Sequence, residues 1–168
     1  TDCPNREKLG WAGDAHVTAE EAMFNFYCPQ FYTKYVNDLF DSGNENGMVP
    51  GIAPTYGWTG DEGPAWAGAG VVIPWHMYRY YGDTRMLEDQ YEKMAKWIAH
   101  MKKARGILPG GLGDWLPPHM DTAAPPEGMA PIAGGYYHYC CDKMARIADI
   151  LGKHEDAKKY RDLAAKVG

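Results

Sequence analysis

The strongest constraint on the fold is a repeated pairing of helices, which is visible in the spacing of apolar residues. An apolar segment ends at a tight glycine turn and an amphipathic segment follows, first at Tyr81-Gly82-Asp83 and again at Leu151-Gly152-Lys153. A helix that is apolar on all sides needs protein around it, whereas an amphipathic helix needs a partner on one face only. We therefore expect inner helices to alternate with outer helices.

Periodicity and helix-end signals predict six helical segments, with Trp75 and Trp97 at core positions. The first begins at a capping box formed by Thr18 and Glu21, or slightly earlier near Asp14. The predicted segments are Asp14 or Thr18 to Phe26, Pro29 to the Ser42-Gly43 stop, Ala65 to Tyr81, the Asp83-Thr84 cap to Met101, Gly135 to Leu151, and Glu155 to Val167.

Long loops separate the helical pairs and carry a second repeat. Residues 47–51 (GMVPG) return as residues 106–110 (GILPG) at an offset of 59, and each copy precedes a tryptophan, Trp58 or Trp115. Open helical arrays use short connections, whereas loops of about 20 residues at one end of every hairpin are typical of a toroid with a functional face. The expected fold class is all-α, with three helical hairpins forming part of a toroid.

Composition excludes several classes of partner. The chain has 168 residues and 17 Lys+Arg against 22 Asp+Glu, a formal net charge of −5, which argues against nucleic-acid or anionic-membrane binding. Residues 63–78 form the longest uncharged stretch, which is too short to span a bilayer. Because the chain begins at Thr1 inside a motif, we expect its natural N-terminus to lie further upstream.

We expect no metal site and no cofactor. The histidines lack metal-ligand spacing, although His119 and His138 flank the long loop and are candidates to line a site. The cysteines follow neither a zinc spacing nor a disulfide framework, so we expect four free thiols, Cys3, Cys28, Cys140 and Cys141.

The densest group of polar residues is at the start of the chain. Asp2, Glu7 and Asp14 lie 5 and 7 positions apart, in a segment whose proline and glycines prevent a continuous helix. Converging carboxylates raise one another's pKa, and a carboxyl group that stays protonated is the general acid of glycoside hydrolysis. Arg6 would hold a neighbouring carboxylate ionised. The alternative is a solvated loop with salt bridges.

Two further loops place acids beside tryptophans. Asp61 and Glu62 lie between Trp58 and Trp66, and Asp114 precedes Trp115. Sugars present C–H faces that stack on indole rings and hydroxyl groups that bind carboxylates. These loops therefore favour a carbohydrate site, with Trp11, Trp66 and Trp115 as the loop tryptophans.

Four motifs closely resemble the catalytic domain of bacterial α-L-rhamnosidases, glycoside hydrolase family 78. They are residues 2–14 (DCPNREKLGWAGD), 46–50 (NGMVP), 59–66 (TGDEGPAW) and 113–116 (GDWL). The likeness covers essentially the whole chain, and its most specific part is the opening Asp-Cys-Pro-x-Arg-Glu. It implies an (α/α)6 barrel of six hairpins, of which this chain holds three, and inverting hydrolysis of terminal α-L-rhamnose.

The resemblance also implies roles by position. Glu7 matches the general acid, and the residues that match the sugar-binding groups are Asp2, Arg6, Trp11, Asp14, Trp66 and Trp115. Weaker candidates for the site are Asp61, Glu62 and Asp114. The family's general base is a downstream glutamate that this sequence lacks, and neither Glu62 nor Glu127 is placed to replace it. We therefore expect the isolated chain to be inactive.

Two alternative functions remain open, and we also expect the chain to self-associate. A non-catalytic helical repeat module that binds carbohydrate or protein would show the same helix pattern. Another six-hairpin glycosidase, such as a glucuronyl hydrolase, shares the expected fold but not the opening motif. Half a toroid would also expose apolar flanks, so we expect self-association through them or a marginally stable monomer.

Overall fold

The computed structural model of the chain describes residues 4–55, 60–105, 111–112 and 130–168. The described ranges contain an isolated antiparallel bridge between Trp11 and Ile52 and no strand. Their helices are α1 (Ala12–Val17), α2 (Ala19–Asn25), α3 (Pro29–Asp41), α4 (Pro64–Ala67), α5 (Ala69–Tyr81), α6 (Arg85–Arg105), α7 (Ala130–Ile150) and α8 (His154–Val167).

Helices α5 and α6, and then α7 and α8, form consecutive hairpins with similar turns. Gly82 and Gly152 end the first helix of each pair in the left-handed region, at φ of 68° and 72°, where a side chain would be strained. Helix α5 is buried along most of its length and packs against α3, α6 and α7. The predicted alternation of inner and outer helices, and with it the all-α fold class, is confirmed.

A continuous apolar core joins the hairpins. Trp97 of α6 is 1% exposed and packs among the other fully buried side chains, which include Ile73, Leu87 and Tyr137. Trp75 was expected in the same core but is only partly buried, and the Lys143 ammonium lies 5.6 Å from its ring centroid. The core prediction therefore holds fully for Trp97 and in part for Trp75.

The first and third predicted helical segments are each divided in two. Thr18 separates α1 from α2, and its hydroxyl donates to the Asp14 carbonyl instead of capping α2, so the predicted capping box with Glu21 is wrong. Gly68 separates α4 from α5. A Cβ atom at Gly68 would lie 2.4 Å from the Pro64 carbonyl oxygen and 2.9 Å from Cys140 Sγ, so this corner packs closely against α7.

The remaining boundaries agree with the sequence to within a few residues, except that α7 begins at Ala130 rather than near Gly135. No helix in the described ranges combines the length and the apolar character needed to cross a membrane. Several predicted features lie outside the described residues, namely the second copy of the 47–51 repeat, Asp2, Cys3, Trp58, Asp114, Trp115, His119 and Glu127.

Candidate functional site

The loop before α1 holds the Glu7 carboxylate between two donors. Trp11 Nε1 donates to Glu7 Oε2 at 2.8 Å, and the Arg6 guanidinium lies 3.1 Å from Glu7 Oε1. The Glu7 side chain is 27% exposed, so its carboxylate is fixed in orientation while it stays open to solvent. Trp11 occupies the position just before α1, which places its indole over the loop.

A second loop, residues 49–55, is hydrogen-bonded to the backbone of the first loop on both sides of Trp11. The Ala12 amide donates to the Gly51 carbonyl at 2.8 Å, and the Ala53 amide donates to the Gly10 carbonyl at 3.0 Å. Gly10 allows this approach, because a Cβ atom there would lie 2.2 Å from the Ala53 carbonyl oxygen. The backbone on both sides of Trp11 is therefore held by neighbouring chain.

Trp66 lies beside the same helix start. It belongs to the four-residue helix α4 rather than to a loop, and a Cβ atom on Gly13 would lie 3.0 Å from its Nε1 atom. His16 fixes α4 in place, because its Nε2 atom lies 2.8 Å from the Ala65 carbonyl oxygen. The Tyr136 ring meets the His16 ring edge-on at 5.3 Å between centroids. Helix α1 thus carries Trp11 at its start and supports Trp66 along its side.

Glu62 organises three loops through its carboxylate and its own backbone. One carboxylate oxygen accepts the Gly51 amide at 2.6 Å and the other accepts the Gly60 amide at 2.8 Å. The Glu62 carbonyl accepts the Leu112 amide at 2.8 Å. Both carboxylate oxygens therefore have backbone partners, which gives this residue a structural role at the edge of the site.

Asp61 is anchored to the next hairpin. Its carboxylate lies 3.1 Å from Nε2 of His100 on α6 and also accepts the Gly63 amide at 3.3 Å. His138 is likewise used within the helical framework, because its Nδ1 atom lies 3.0 Å from the Ala164 carbonyl oxygen of α8. In the part of the chain that the structure describes, no group of three or more potential metal ligands converges.

The cysteines of α7 supply no nucleophile. Cys140 and Cys141 are unpaired and fully buried. Burial raises the pKa of Cys141 to about 12 and raises the pKa of Cys140 well above its ordinary value. Because only the thiolate is a good nucleophile, these two thiols are inert near neutral pH.

The structure brings four of the expected site residues to the start of α1. Arg6 and Trp11 each contact Glu7, and Trp66 lies beside Gly13 in the first turn of α1. Asp14 lies on α1 with its side chain exposed. Sequence reasoning missed His16 and His100, which position Ala65 and Asp61. Each contact joins residues far apart in the sequence, 49 positions for His16 and Ala65 and 39 for His100 and Asp61, so no local pattern predicts it.

These residues give the site a defined chemistry. A partly exposed carboxylate with two donors, beside the Trp11 indole and near the helix that also contacts Trp66, offers hydrogen bonds to hydroxyl groups and apolar faces for C–H groups. The described residues form an all-α domain built from helical hairpins, with alternating inner and outer helices, and the chemistry of this site suits a carbohydrate ligand.

Comparison with known proteins gives the family. The family profile described as bacterial alpha-L-rhamnosidase 6 hairpin glycosidase domain matches residues 1–168. An α-L-rhamnosidase of Streptomyces avermitilis is 36% identical over 171 residues, which cover 99% of this chain and 16% of the relative. One of Formosa agariphila is 36% identical over 178 residues, covering 96% of this chain and 18% of the relative. The chain belongs to the bacterial α-L-rhamnosidase six-hairpin glycosidase family.

Solved structures agree with this assignment. The α-L-rhamnosidase from Dictyoglumus thermophilum matches with a TM-score of 0.91 and 38% identity, over 99% of this chain and 19% of that one. The Streptomyces avermitilis enzyme complexed with L-rhamnose matches with a TM-score of 0.83 and 35% identity, over 99% of this chain and 16% of that one. The chain therefore spans less than a fifth of the length of these relatives.

Proposed function

We propose that this chain is the part of an inverting α-L-rhamnosidase that supplies the general acid, and that Glu7 is that acid. The observation that carries the proposal is the fixed but solvent-open Glu7 carboxylate beside Trp11, within a domain of the rhamnosidase family. A general acid must reach the leaving oxygen in one orientation. The Trp11 indole fixes such an orientation for Glu7.

The proposed sugar-binding groups surround this acid. Arg6 and Asp14 present charged groups near the start of α1, where rhamnose hydroxyls would bind, and Asp2 completes this set by its place in the motif. Trp11 and Trp66 form aromatic walls, supported by the contact of Trp66 with Gly13. Trp115 is proposed as a third wall. Because Asp61 and Glu62 have partners in the loops, we assign them to loop positioning, and Asp114 stays a weaker candidate for sugar binding.

The catalytic cycle needs a second carboxylate. In an inverting enzyme the base stands about 6.5–9.5 Å from the acid and activates water on the opposite face of the sugar. We propose that this base is not among the 168 residues, so that the chain binds rhamnose without releasing it from a glycoside.

A chimaera tests the role of Glu7. The 168 residues replace the matched segment of the Streptomyces avermitilis α-L-rhamnosidase, which then supplies every residue that this chain lacks. For Glu7→Gln we expect kcat on an alkyl α-L-rhamnoside to fall by a factor of about 10²–10⁴, the usual contribution of general acid catalysis. The loss should be much smaller for a dinitrophenyl rhamnoside, because that leaving group departs without a proton.

The control and the contrary result are both available in the same chimaera. Glu21→Gln removes an exposed carboxylate from α2 and should leave kcat unchanged on both substrates. Equal loss on both substrates in Glu7→Gln would contradict general acid catalysis, and full activity would remove Glu7 from the mechanism.

Binding without catalysis is the second candidate, since the aromatic faces alone suffice for it. L-Rhamnose titration of the isolated chain, followed by tryptophan fluorescence, separates the two. Quenching that survives Glu7→Gln and disappears in Trp66→Ala, together with an unaffected Glu7→Gln chimaera, would favour a binding module. Release of rhamnose by the isolated chain would contradict the proposed absence of the base.

A further inference from the structure

A groove between the outer helices α6 and α8 lies apart from the Glu7 site. Its volume is about 700 Å³. Four lysines, one aspartate and an apolar floor line it. The lining residues are Ala95, Ile98, Ala99, Lys102, Lys103, Lys159, Tyr160, Asp162, Leu163 and Lys166.

The groove concentrates positive charge on an acidic protein. Four ammonium groups face one carboxylate, a formal charge of +3, whereas the whole chain carries −5. Among the described residues, Lys102, Lys103 and Lys166 take part in no ion pair. Lys159 approaches Asp156 only at 3.9 Å, with its side chain 69% exposed. This positive charge is therefore not neutralised within the described structure.

Helix ends explain part of this charge. Lys102, Lys103 and Lys166 lie in the last turns of α6 and α8, where cations favour the exposed carbonyl groups. Lys159 lies in the middle of α8, so the helix-end effect does not explain its charge. Nor does that effect explain why the lysines surround a groove with an apolar floor. A ligand that carries negative charge accounts for all four lysines together.

The apolar residues that line the groove indicate which kind of ligand fits it. Ala95 and Ala99 are small and partly or fully exposed, so they leave room for an inserted side chain. Ile98 and Leu163 also line the groove but are only 2% and 9% exposed, so the two alanines are its accessible apolar residues. Tyr160 is 2% exposed and Lys159 Nζ lies 5.3 Å from its ring centroid, so its ring offers no open face to a sugar. Sugars bind through aromatic faces, whereas a helix inserts aliphatic side chains into a groove of this kind.

We propose that the α6–α8 groove docks an acidic amphipathic helix of a partner protein. The aliphatic ridge of that helix would pack over Ala95 and Ala99, and its flanking Glu and Asp side chains would pair with the lysines on both walls. Charge pairs of this type guide association and fix the register of the bound helix. The apolar contact forms only with a ligand whose shape is complementary to the groove. This surface is independent of rhamnose binding.

The probe is a fluorescein-labelled synthetic peptide of about four helical turns, with Leu at the i, i+3, i+4 and i+7 positions and Glu on the flanking faces. Its anisotropy is measured with the 168-residue chain at low ionic strength. We expect a scrambled peptide of the same composition to bind at least about tenfold more weakly. Only the ordered sequence places the leucines on one face of the helix with the glutamates beside them.

Variants locate the binding. Lys102→Glu combined with Lys166→Glu should weaken binding about tenfold or more. The matched control is Lys96→Glu combined with Lys158→Glu, which makes the same change of charge on the same two helices outside the groove and should weaken binding by much less. Ala99→Trp fills the floor, keeps every lysine, and should abolish binding of the ordered peptide. Circular dichroism checks that each variant is folded.

Three results would overturn the proposal. Equal affinity for the ordered and scrambled peptides would mean non-specific charge attraction. Equal weakening in the control pair would place the binding elsewhere. Stronger competition by polygalacturonate than by the ordered peptide, insensitive to Ala99→Trp, would assign the groove to an acidic polysaccharide instead.

Discussion

Two buried histidines connect the framework of the site to pH. His16 lies between α1 and α4, and burial lowers its pKa below the usual 6.5, against smaller opposing effects of the Ala65 carbonyl and Asp14. Burial likewise lowers the pKa of His76 on α5, against the opposing charge of Glu20. The ring of His16 is therefore neutral in the folded protein, with Nε2–H as the donor to Ala65.

This protonation state predicts a loss of stability in acid. Below pH 6.5 the unfolded chain binds protons that the folded chain excludes, so the free energy of unfolding is highest above pH 6.5 and falls as the pH drops below it. The slope is at most about 1.4 kcal/mol per pH unit for each histidine. Urea unfolding between neutral and mildly acidic pH measures it.

A pair of variants assigns the slope. His16→Gln keeps an amide donor for the Ala65 carbonyl but does not titrate, so its dependence on pH should be shallower than that of the wild type. Thr33→Ser changes no titratable group, lies on the exposed face of α3 and should leave the slope unchanged. An identical slope in the wild type and His16→Gln would show that His16 titrates alike in both states.

Single residues also show how far the sequence predicted the site. Glu7 and Trp11 are four positions apart in a short loop, and their contact follows from local chain geometry. Trp66 is 53 positions from Gly13, and their contact depends on how α4 packs beside α1. The sequence therefore singled out residues that the structure places near the start of α1, whereas the support by His16 and Glu62 depends on packing between loops that local patterns do not encode.

At the scale of elements, helix α1 and helix α4 meet through a glycine and an indole. Gly13 has an ordinary helical backbone, so its importance lies in the missing side chain rather than in its conformation. A Cβ atom at this position would lie 3.0 Å from Nε1 and 3.2 Å from two carbon atoms of Trp66. The indole would have to move, and α4 with it.

Gly13→Ala should therefore cost stability despite the better helix propensity of alanine. Gly135→Ala on α7 is the matched control, because it meets no atom within 4 Å and should gain up to about 1 kcal/mol. Gly13→Ala should be about 1–3 kcal/mol less stable than that control, the usual cost of overpacking. Urea unfolding measures both, and similar values would mean that Trp66 moves aside freely.

The same contact should affect ligand binding. If Trp66 forms a wall of the rhamnose pocket, Gly13→Ala should weaken quenching of tryptophan fluorescence by L-rhamnose, whereas Gly135→Ala should not. Unchanged rhamnose affinity in a destabilised Gly13→Ala would separate the packing role of Trp66 from its proposed binding role.

Element boundaries show where sequence patterns were sufficient. The glycine turns at Gly82 and Gly152 and the helix start at Pro29 were predicted correctly, because each depends on the conformation of one residue. Thr18 was predicted as one of two possible helix starts but not as a break between two helices, and the break at Gly68 was not predicted, because apolar periodicity continues through both. Thr18 binds back to its own helix, and Gly68 breaks the segment where the chain turns against Cys140, a contact between distant segments.

At the scale of the whole molecule, the net charge does not show how charged side chains are distributed over the surface. The −5 of the chain argued against anionic partners, yet four lysines converge on the α6–α8 groove. Composition averages over all surfaces, while recognition depends on the charge within about a Debye length of one surface. A helix pattern gives which residues are exposed, but not which exposed residues of two different helices meet.

Exposed aromatic residues are also concentrated in one part of the chain. The corner between α2 and α3 exposes Phe24, Phe26, Tyr27 and Phe31, whose side chains are 63–86% exposed. Exposed aromatic surface, when it forms a large patch, usually marks an interaction site. The sequence predicted self-association through the apolar flanks of a partial toroid, and we now predict that the α2–α3 corner takes part in it.

Sedimentation equilibrium over two decades of protein concentration tests the association. We expect the mean mass of the isolated chain to rise with concentration, because pairing of two such corners removes aromatic surface from water at about 25 cal/mol for each Å². Phe26→Ser combined with Phe31→Ser should shift the association to markedly higher concentration without loss of helix signal, since both side chains lie outside the core. Thr33→Ser on the exposed face of α3 is the control and should associate like the wild type. A monomer at every concentration would contradict the expectation, and association unaffected by the phenylalanine variants would place the contact on another surface of the hairpins.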